Sequence, residues 1–337
     1  MAQTQLRPSA TRVVLPLAGA LIAVMALSLL VGRYPRSFFT SPSLLVHDEL
    51  AQRVVLTLRL PRALTAMLLG MTLAGAGTVM QMIFRNPIVE PGFLGVSQGA
   101  AFGAALGILT GGAAISPLVT EVSASAFALL GLALTYFMAR RLRFGGWVLR
   151  LVLAGIAVSA LFASGIGILK YMADPLTQLP AITFWMMGGL AGITWRDFLY
   201  VVPFAVPGLL LVFLMRWRLN VLALDDATAF SLGTAPGRER TLLLVGAVVA
   251  TAALTSVSGV VGWVGLIVPH LARRLYGADT RLTVPAAMLL GGTFTVVCDD
   301  LARTLLAGEI PLGILTSLIG AFVFLILMTR TRIRVGL

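Results

Sequence analysis

Ten stretches of at least 17 residues contain no Asp, Glu, Lys or Arg: Val13–Gly32, Ala63–Phe84, Pro91–Thr120, Val122–Ala139, Leu151–Leu169, Pro175–Trp195, Phe198–Met215, Thr241–Pro269, Leu282–Cys298 and Ile310–Thr329. A bilayer core takes about 20 residues of helix. Backbone N–H and C=O groups in lipid must find partners inside their own segment, so such stretches cross as helices. With 58% hydrophobic and only 11% charged residues, the chain lacks the polar side chains that coat a soluble domain. The fold class read from this is an all-α polytopic membrane protein, a single transmembrane domain over residues 1–337 with no room for a large globular appendage. One cysteine, Cys298, permits neither an internal disulfide nor a Cys-x-x-Cys metal or redox motif.

Two stretches need more than a length count. Thr241–Pro269 is long and is interrupted at Ser258-Gly259 and Gly262, so it is expected to divide into a full helix and a short one that continues to about Tyr276. Pro175–Trp195 opens on Asp174-Pro175 and contains Pro180 and several glycines. It is expected to form a short helix at one mouth, within about 180–194, rather than a crossing. Ten spans result, and an even number puts both termini on one side. Both termini are basic, which places them in the cytoplasm. On that assignment 17 of the 25 basic residues and 5 of the 13 acids face the cytoplasm, so the whole net charge of +12 lies there. Anionic lipid headgroups account for that excess and no nucleic-acid partner is needed. The first apolar run is longer than the core of a signal peptide and is read as a retained span.

Gly95, Gly99, Gly103, Gly107 and Gly111 recur every four residues and leave one helix face open to a neighbouring backbone. Gly95-Val96-Ser97-Gln98-Gly99 also satisfies G-x-S-x-G, but a nucleophile elbow needs a preceding strand and a nearby His and acid, and this chain has only His47 and His270. No catalytic residue is assigned. His270, beside Pro269 and Arg273-Arg274, is expected to cap or hydrogen-bond rather than hold a metal, and no metal site is assigned. The only lysine, Lys170, follows Leu169 rather than a glycine, so there is no Walker A loop and no ATP hydrolysis by this chain. The acids, Asp299 and Asp300 among them, fall at expected span ends, which weakens an ion-coupled mechanism.

The longest inner connection, Arg216–Arg240, carries the features of a short docking helix. Asp225 and Asp226 can cap it, Ala227, Phe230 and Leu232 offer apolar contacts, and Gly233 can end it in a left-handed conformation. A helix lying on the membrane surface is the simpler alternative. On the outer side, Arg59-Leu60-Pro61-Arg62 opens the second span against the positive-inside trend, and Arg303 stands near Glu309 at the end of the ninth. These cations want an anion, from headgroup phosphates or from an acidic partner surface.

Three blocks resemble the permease subunits of ABC importers for iron chelates, haem and cobalamin, the FecCD-like family. They are Arg59-Leu60-Pro61-Arg62 with Arg85-Asn86-Pro87-Ile88-Val89-Glu90-Pro91-Gly92-Phe93-Leu94-Gly95-Val96-Ser97, then Gly265-Leu266-Ile267-Val268-Pro269-His270-Leu271-Ala272-Arg273, then Glu309-Ile310-Pro311-Leu312-Gly313. The resemblance covers nearly the whole chain. It implies a homodimer in a bacterial inner membrane with the cargo pathway on its two-fold axis, two cytoplasmic ATPase subunits below and a periplasmic substrate-binding protein above. ATP and magnesium would be used by the ATPases, and this chain would bind no cofactor. It further implies that Leu224–Gly233 is the coupling helix and that Arg59, Arg62 and Arg303 receive glutamates of the binding protein. Leu151–Lys170 and Pro311–Met328 would line the axis, with Ile182–Gly192 near the outer gate. An iron chelate is the favoured cargo; cobalamin, haem and an oxyanion stay open, as does an ion-coupled transporter working without an ATPase.

Overall fold

The computed structural model describes residues 10–34, 38–111, 117–306 and 308–330. Residues 1–9 and 331–337, which hold Arg7, Arg332 and Arg334 of the basic termini, lie outside them. Among the described residues there are fifteen α-helices and no strand, only an isolated bridge between Val31 and Phe39. In chain order they are α1 (Ala10–Leu30), α2 (Leu44–His47), α3 (Glu49–Arg53), α4 (Leu60–Phe84), α5 (Val96–Thr110), α6 (Pro117–Arg141), α7 (Trp147–Met172) and α8 (Gln178–Met187). Then follow α9 (Trp195–Leu214), α10 (Arg218–Leu222), α11 (Asp226–Ser231), α12 (Pro236–Ser258), α13 (Val264–Tyr276), α14 (Thr280–Thr304) and α15 (Leu312–Arg330).

Seven of these are long and apolar enough to cross a membrane, counting the rod Glu49–Phe84 as one. The shorter apolar helices α5 and α15 add two, and α13, with Arg273 and Arg274 in its last turn, stands where the sequence puts the remaining short span. The interruption at Ser258-Gly259 falls where composition places it. Gly259 takes φ +66°, and Trp263 with φ +71° starts α13, which runs to Tyr276.

Four boundaries differ from expectation, each for a local reason. The third span is shorter than its apolar run: α5 stops at Thr110, and α6 begins already at Pro117, so Thr120 and Glu121 are inside a helix and buried rather than in a loop. Proline at a first helical position suits the start of α6. The ninth span does not end at Cys298; α14 continues to Thr304 and carries Asp299 and Asp300 within it. The outer helix α8 starts at Gln178 and ends at Met187, because Gly188 turns the chain at φ +68°. Finally, the second span does not begin at Arg59. A π-helical turn, Val54–Arg59, carries the rod through Pro61, with the Leu60 amide donating to the Val55 carbonyl. Proline lacks an N–H and crowds the turn before it, and a widened turn makes room for the ring.

Glycine sets the closest crossings. A Cβ placed on Gly70 of α4 would stand 2.0 Å from the Gly291 carbonyl oxygen of α14, and one on Gly291 would stand 2.3 Å from the Gly70 oxygen. The two backbones therefore touch, which only a residue without a side chain permits. On the other side, added carbons at Gly99 and Gly103 of α5 would lie 2.3 and 2.2 Å from carbonyl oxygens of Phe127 and Ser123 on α6, and Gly107 faces the Thr120 Cα. Gly95 and Gly111 instead cap the two ends of α5. Gly291→Ala is expected to force α4 and α14 apart and lower stability by about 1–3 kcal/mol, read as a reduced thermal midpoint in detergent. Gly19→Ala, with nothing within 4 Å of the added carbon, should leave the midpoint unchanged or slightly higher; equal midpoints for the two variants would remove the close-crossing account.

Candidate functional site

The face that the charge distribution assigns to the cytoplasm presents a small, capped helix. Asp225 accepts the Thr228 amide at 3.0 Å and caps α11. Hydrogen bonds from Thr228 hold the Asp225 carboxyl below the usual aspartate range. The cap is therefore fully present above that range and is lost only as pH falls through the lowered folded value. Gly233 ends the element at φ +77°, its amide donating to the Phe230 carbonyl at 2.9 Å, and the Thr234 hydroxyl reaches back to Ala229 at 2.6 Å. Ala229 is buried beneath the helix, and Leu219 and Leu222 of α10 sit in the main core.

Arg240, only 4% exposed, ties this element to the membrane domain. From the first turns of α12 it donates to Asp226 Oδ1 at 2.6 Å, to the Leu222 carbonyl at 2.8 Å and to the Leu224 carbonyl at 3.3 Å. Arg85, just past α4, donates to the same Leu224 carbonyl. Neither arginine stands out in the sequence, because apart from Asp226 the groups they hold are carbonyls, which carry no sequence signature. The outward side is left apolar: Phe230 is 73% and Leu232 60% exposed, beside exposed Leu224 and Ala227. Asp225, Asp226 and Gly233 shape the helix, while Leu224, Phe230 and Leu232 remain without apolar cover from this chain.

On the outer side the three arginines come together but are not free. Arg62 forks onto Asp299, with Nε and Nη2 2.9–3.1 Å from its carboxylate oxygens, and Nη1 reaches Glu309 at 2.9 Å. Asp299 is 2% exposed. Arg303 donates to the Ser28 carbonyl at 2.7 Å, to the Ser28 hydroxyl at 2.9 Å and to Asp300. Arg59 donates to the Leu29 carbonyl and the Thr40 hydroxyl, both at 2.9 Å. The expectation of uncompensated cations waiting for an outside anion is thus corrected for Arg62 and Arg303, whose carboxylates are the chain's own, while Arg59 is held by neutral oxygens; the cluster pins α1, α4 and α14 together. Glu309 is its most exposed member.

Between these faces, α7 and α15 show exposed apolar side chains, Ile156, Leu161 and Ile168 on one and Ile314, Leu318 and Phe322 on the other. From Leu151 to Leu169 and from Leu312 to Thr329 there is no charge. The outer end of this wall is a three-way joint. Gly188, after α8, approaches the Val260 carbonyl so closely that a Cβ would stand 2.3 Å from it; Gly259 stands likewise 2.2 Å from the Trp185 oxygen and Gly313 2.3 Å from the Met187 oxygen. The Gly189 amide donates to Ser258 at 2.7 Å. Through this joint the backbone following α8 touches the end of α12 and the start of α15. Sequence reading missed it, since its parts are 125 residues apart in the chain from Gly188 to Gly313.

Ser97 lines a cavity of about 370 Å³ with Glu90, Gln98, Ser159 and Thr255. No histidine is in that lining; His47 is on α2 and His270 on α13. Among the described residues no three His, Cys, Asp or Glu are grouped as metal ligands.

The profile of the FecCD transport family matches residues 20–330. A molybdate import system permease of Haemophilus influenzae is 38% identical over 93% of this chain and 94% of its own length. A probable iron chelatin transport system permease of Helicobacter pylori is 39% identical over 83% of each chain. A solved structure of a metal-chelate type ABC transporter in an inward-facing conformation superposes with a TM-score of 0.88, at 36% identity, over 95% of this chain and 99% of that one.

Breaking the buried fork is expected to cost far more than a surface pair. Arg62→Ala leaves Asp299 buried without a partner and should destabilise by about 3–5 kcal/mol, whereas Arg62→Met combined with Asp299→Leu should recover most of the loss. Thermal midpoints of purified variants decide it; an unchanged midpoint in Arg62→Ala would mean that the fork holds nothing.

Proposed function

Since the chain belongs to the FecCD transport family, whose members are ABC-importer permeases, we propose that it carries a metal chelate, a ferric siderophore or haem, into the cytoplasm of a bacterium. It does so as a homodimer in the inner membrane, with two ATPase subunits beneath it and a substrate-binding protein above. The chain supplies the path and the partner subunits hydrolyse ATP with magnesium. The observation that carries the coupling half of this reading is α11: its polar groups are satisfied by Asp225, Arg240 and Arg85, yet Phe230 and Leu232 are left in water. A surface helix with a fixed backbone and an uncovered aromatic anchor is what a docking partner grips.

The uncharged walls of α7 and α15 support the cargo half. A bulky chelate slides along a surface that offers no strong binding point, and selection then belongs to the binding protein, which meets the outer face around the Arg62–Glu309 pair. Force arriving at α11 passes through Arg240 into α12, whose far end is locked to α8 and α15. Alternating access in this account is the rotation of that joint, opening one mouth as it closes the other. The molybdate permease among the relatives keeps a second reading in play, an oxyanion as cargo.

Phe230→Asp is expected to leave the thermal midpoint of the assembled transporter unchanged and to cut ATP-driven uptake by at least about tenfold, the loss of one anchoring contact. Uptake unaffected by this change would remove α11 as the coupling element. In proteoliposomes holding the full complex and its binding protein, labelled ferric siderophore or haem should accumulate and molybdate should not; molybdate uptake without chelate uptake would overturn the cargo assignment.

A further inference from the structure

On the same face as α11, where α6 ends and α12 begins, the surface opens into a cavity of about 800 Å³, and of its lining the transport reading uses only Asp226 and Arg240. Two cations stand at its rim. Arg140 lies over the Tyr136 ring, its guanidinium carbon 4.6 Å from the centroid, and donates to the Tyr136 hydroxyl at 3.0 Å. Arg238 lines the same opening. Neither is paired with a carboxylate among the described residues. The one acid in the lining, Asp226, is occupied by Arg240 at 2.6 Å. Trp147 packs edge-on against Tyr136, ring centroids 5.3 Å apart, and completes an aromatic floor. The remaining wall is Leu242 and Val245 of α12, both exposed and further along the apolar span.

This combination separates by depth. Cations and amphipathic aromatics sit at the helix ends, where the headgroup layer lies, and bare aliphatic side chains continue into the hydrocarbon. A soluble anion would use the first half and have no need of the second. We propose that this groove is a binding site for one anionic phospholipid of the inner leaflet. Its phosphate lies between Arg140 and Arg238 and its acyl chains along Leu242 and Val245. The inference rests on the proposed function only for which leaflet is the inner one. Basic pockets between membrane helices on the cytoplasmic side recognise anionic headgroups in this way. Because Asp226 belongs both to the groove and to α11, the lipid stands directly beside the element that receives the ATPase.

The test is native mass spectrometry of the intact complex released from mixed micelles containing equal phosphatidylglycerol and phosphatidylcholine. One tightly retained phosphatidylglycerol per chain is expected. Arg140→Gln with Arg238→Gln should reduce that retention at least tenfold, while Arg141→Gln with Arg143→Gln, which removes the same charge from the adjoining surface, should not. Leu242→Asn, which keeps both cations, should weaken retention as well. Equal loss in the two arginine pairs, equal retention of the zwitterionic lipid, displacement by inorganic phosphate alone, or retention that vanishes whenever the ATPase is bound would each overturn the proposal. Retention is read without cargo or ATP, so its failure and a failure of transport are told apart.

Discussion

Helices in a bilayer gain little by hiding apolar side chains from one another, since lipid is as apolar as leucine. What holds this bundle is backbone approach. Gly70 meets Gly291, Gly77 meets the Gly265 carbonyl, and Gly99 and Gly103 meet carbonyls of α6. Around these contacts dispersion becomes dense and polar groups find partners, so a few side chains that are absent decide where the large ones go. The remaining order comes from polar clusters too buried to be dissolved by water, the fork of Arg62 on Asp299 outside and the carbonyl clamp of Arg240 inside.

These two clusters divide the labour of the molecule. The outer one fixes α1, α4 and α14 to each other and leaves little free charge, so the outer corner behaves as a plate. The inner one ties a helix of six residues to α10 and α12 through the Asp225 cap and the Arg240 hydrogen bonds. Between plate and clamp run α7, α12 and α15, and the end of α12 and the start of α15 share the glycine joint with α8. In the proposed transport cycle these two clusters are the stiff parts, and the uncharged stretches of α7 and α15 lie between them.

Much of this was legible in the sequence. Span number follows from charge-free length, the break after α12 from Ser258-Gly259, and α11 from an Asp cap and a Gly stop, all of which are local signals. The extent of α14 was hidden because Asp299 and Asp300 look like the end of a span until their partners are known. Those partners, Arg62 and Ser28, lie 237 and 272 residues away. For the same reason the outer arginines read as free cations. A single sequence reports that a charge needs compensation but not where the fold finds it. The glycines of α5 could be read by period, whereas Gly188, Gly259 and Gly313 have no period to share and meet only in three dimensions.

The central claim is that this chain moves cargo with energy delivered from below. The most direct measurement is the mass and stoichiometry of the assembly extracted gently from native membranes. Two copies of this chain with two copies of an ATPase are predicted. A homo-oligomer free of any ATPase under several mild detergents, and able to transport when reconstituted alone along an ion gradient, would contradict it.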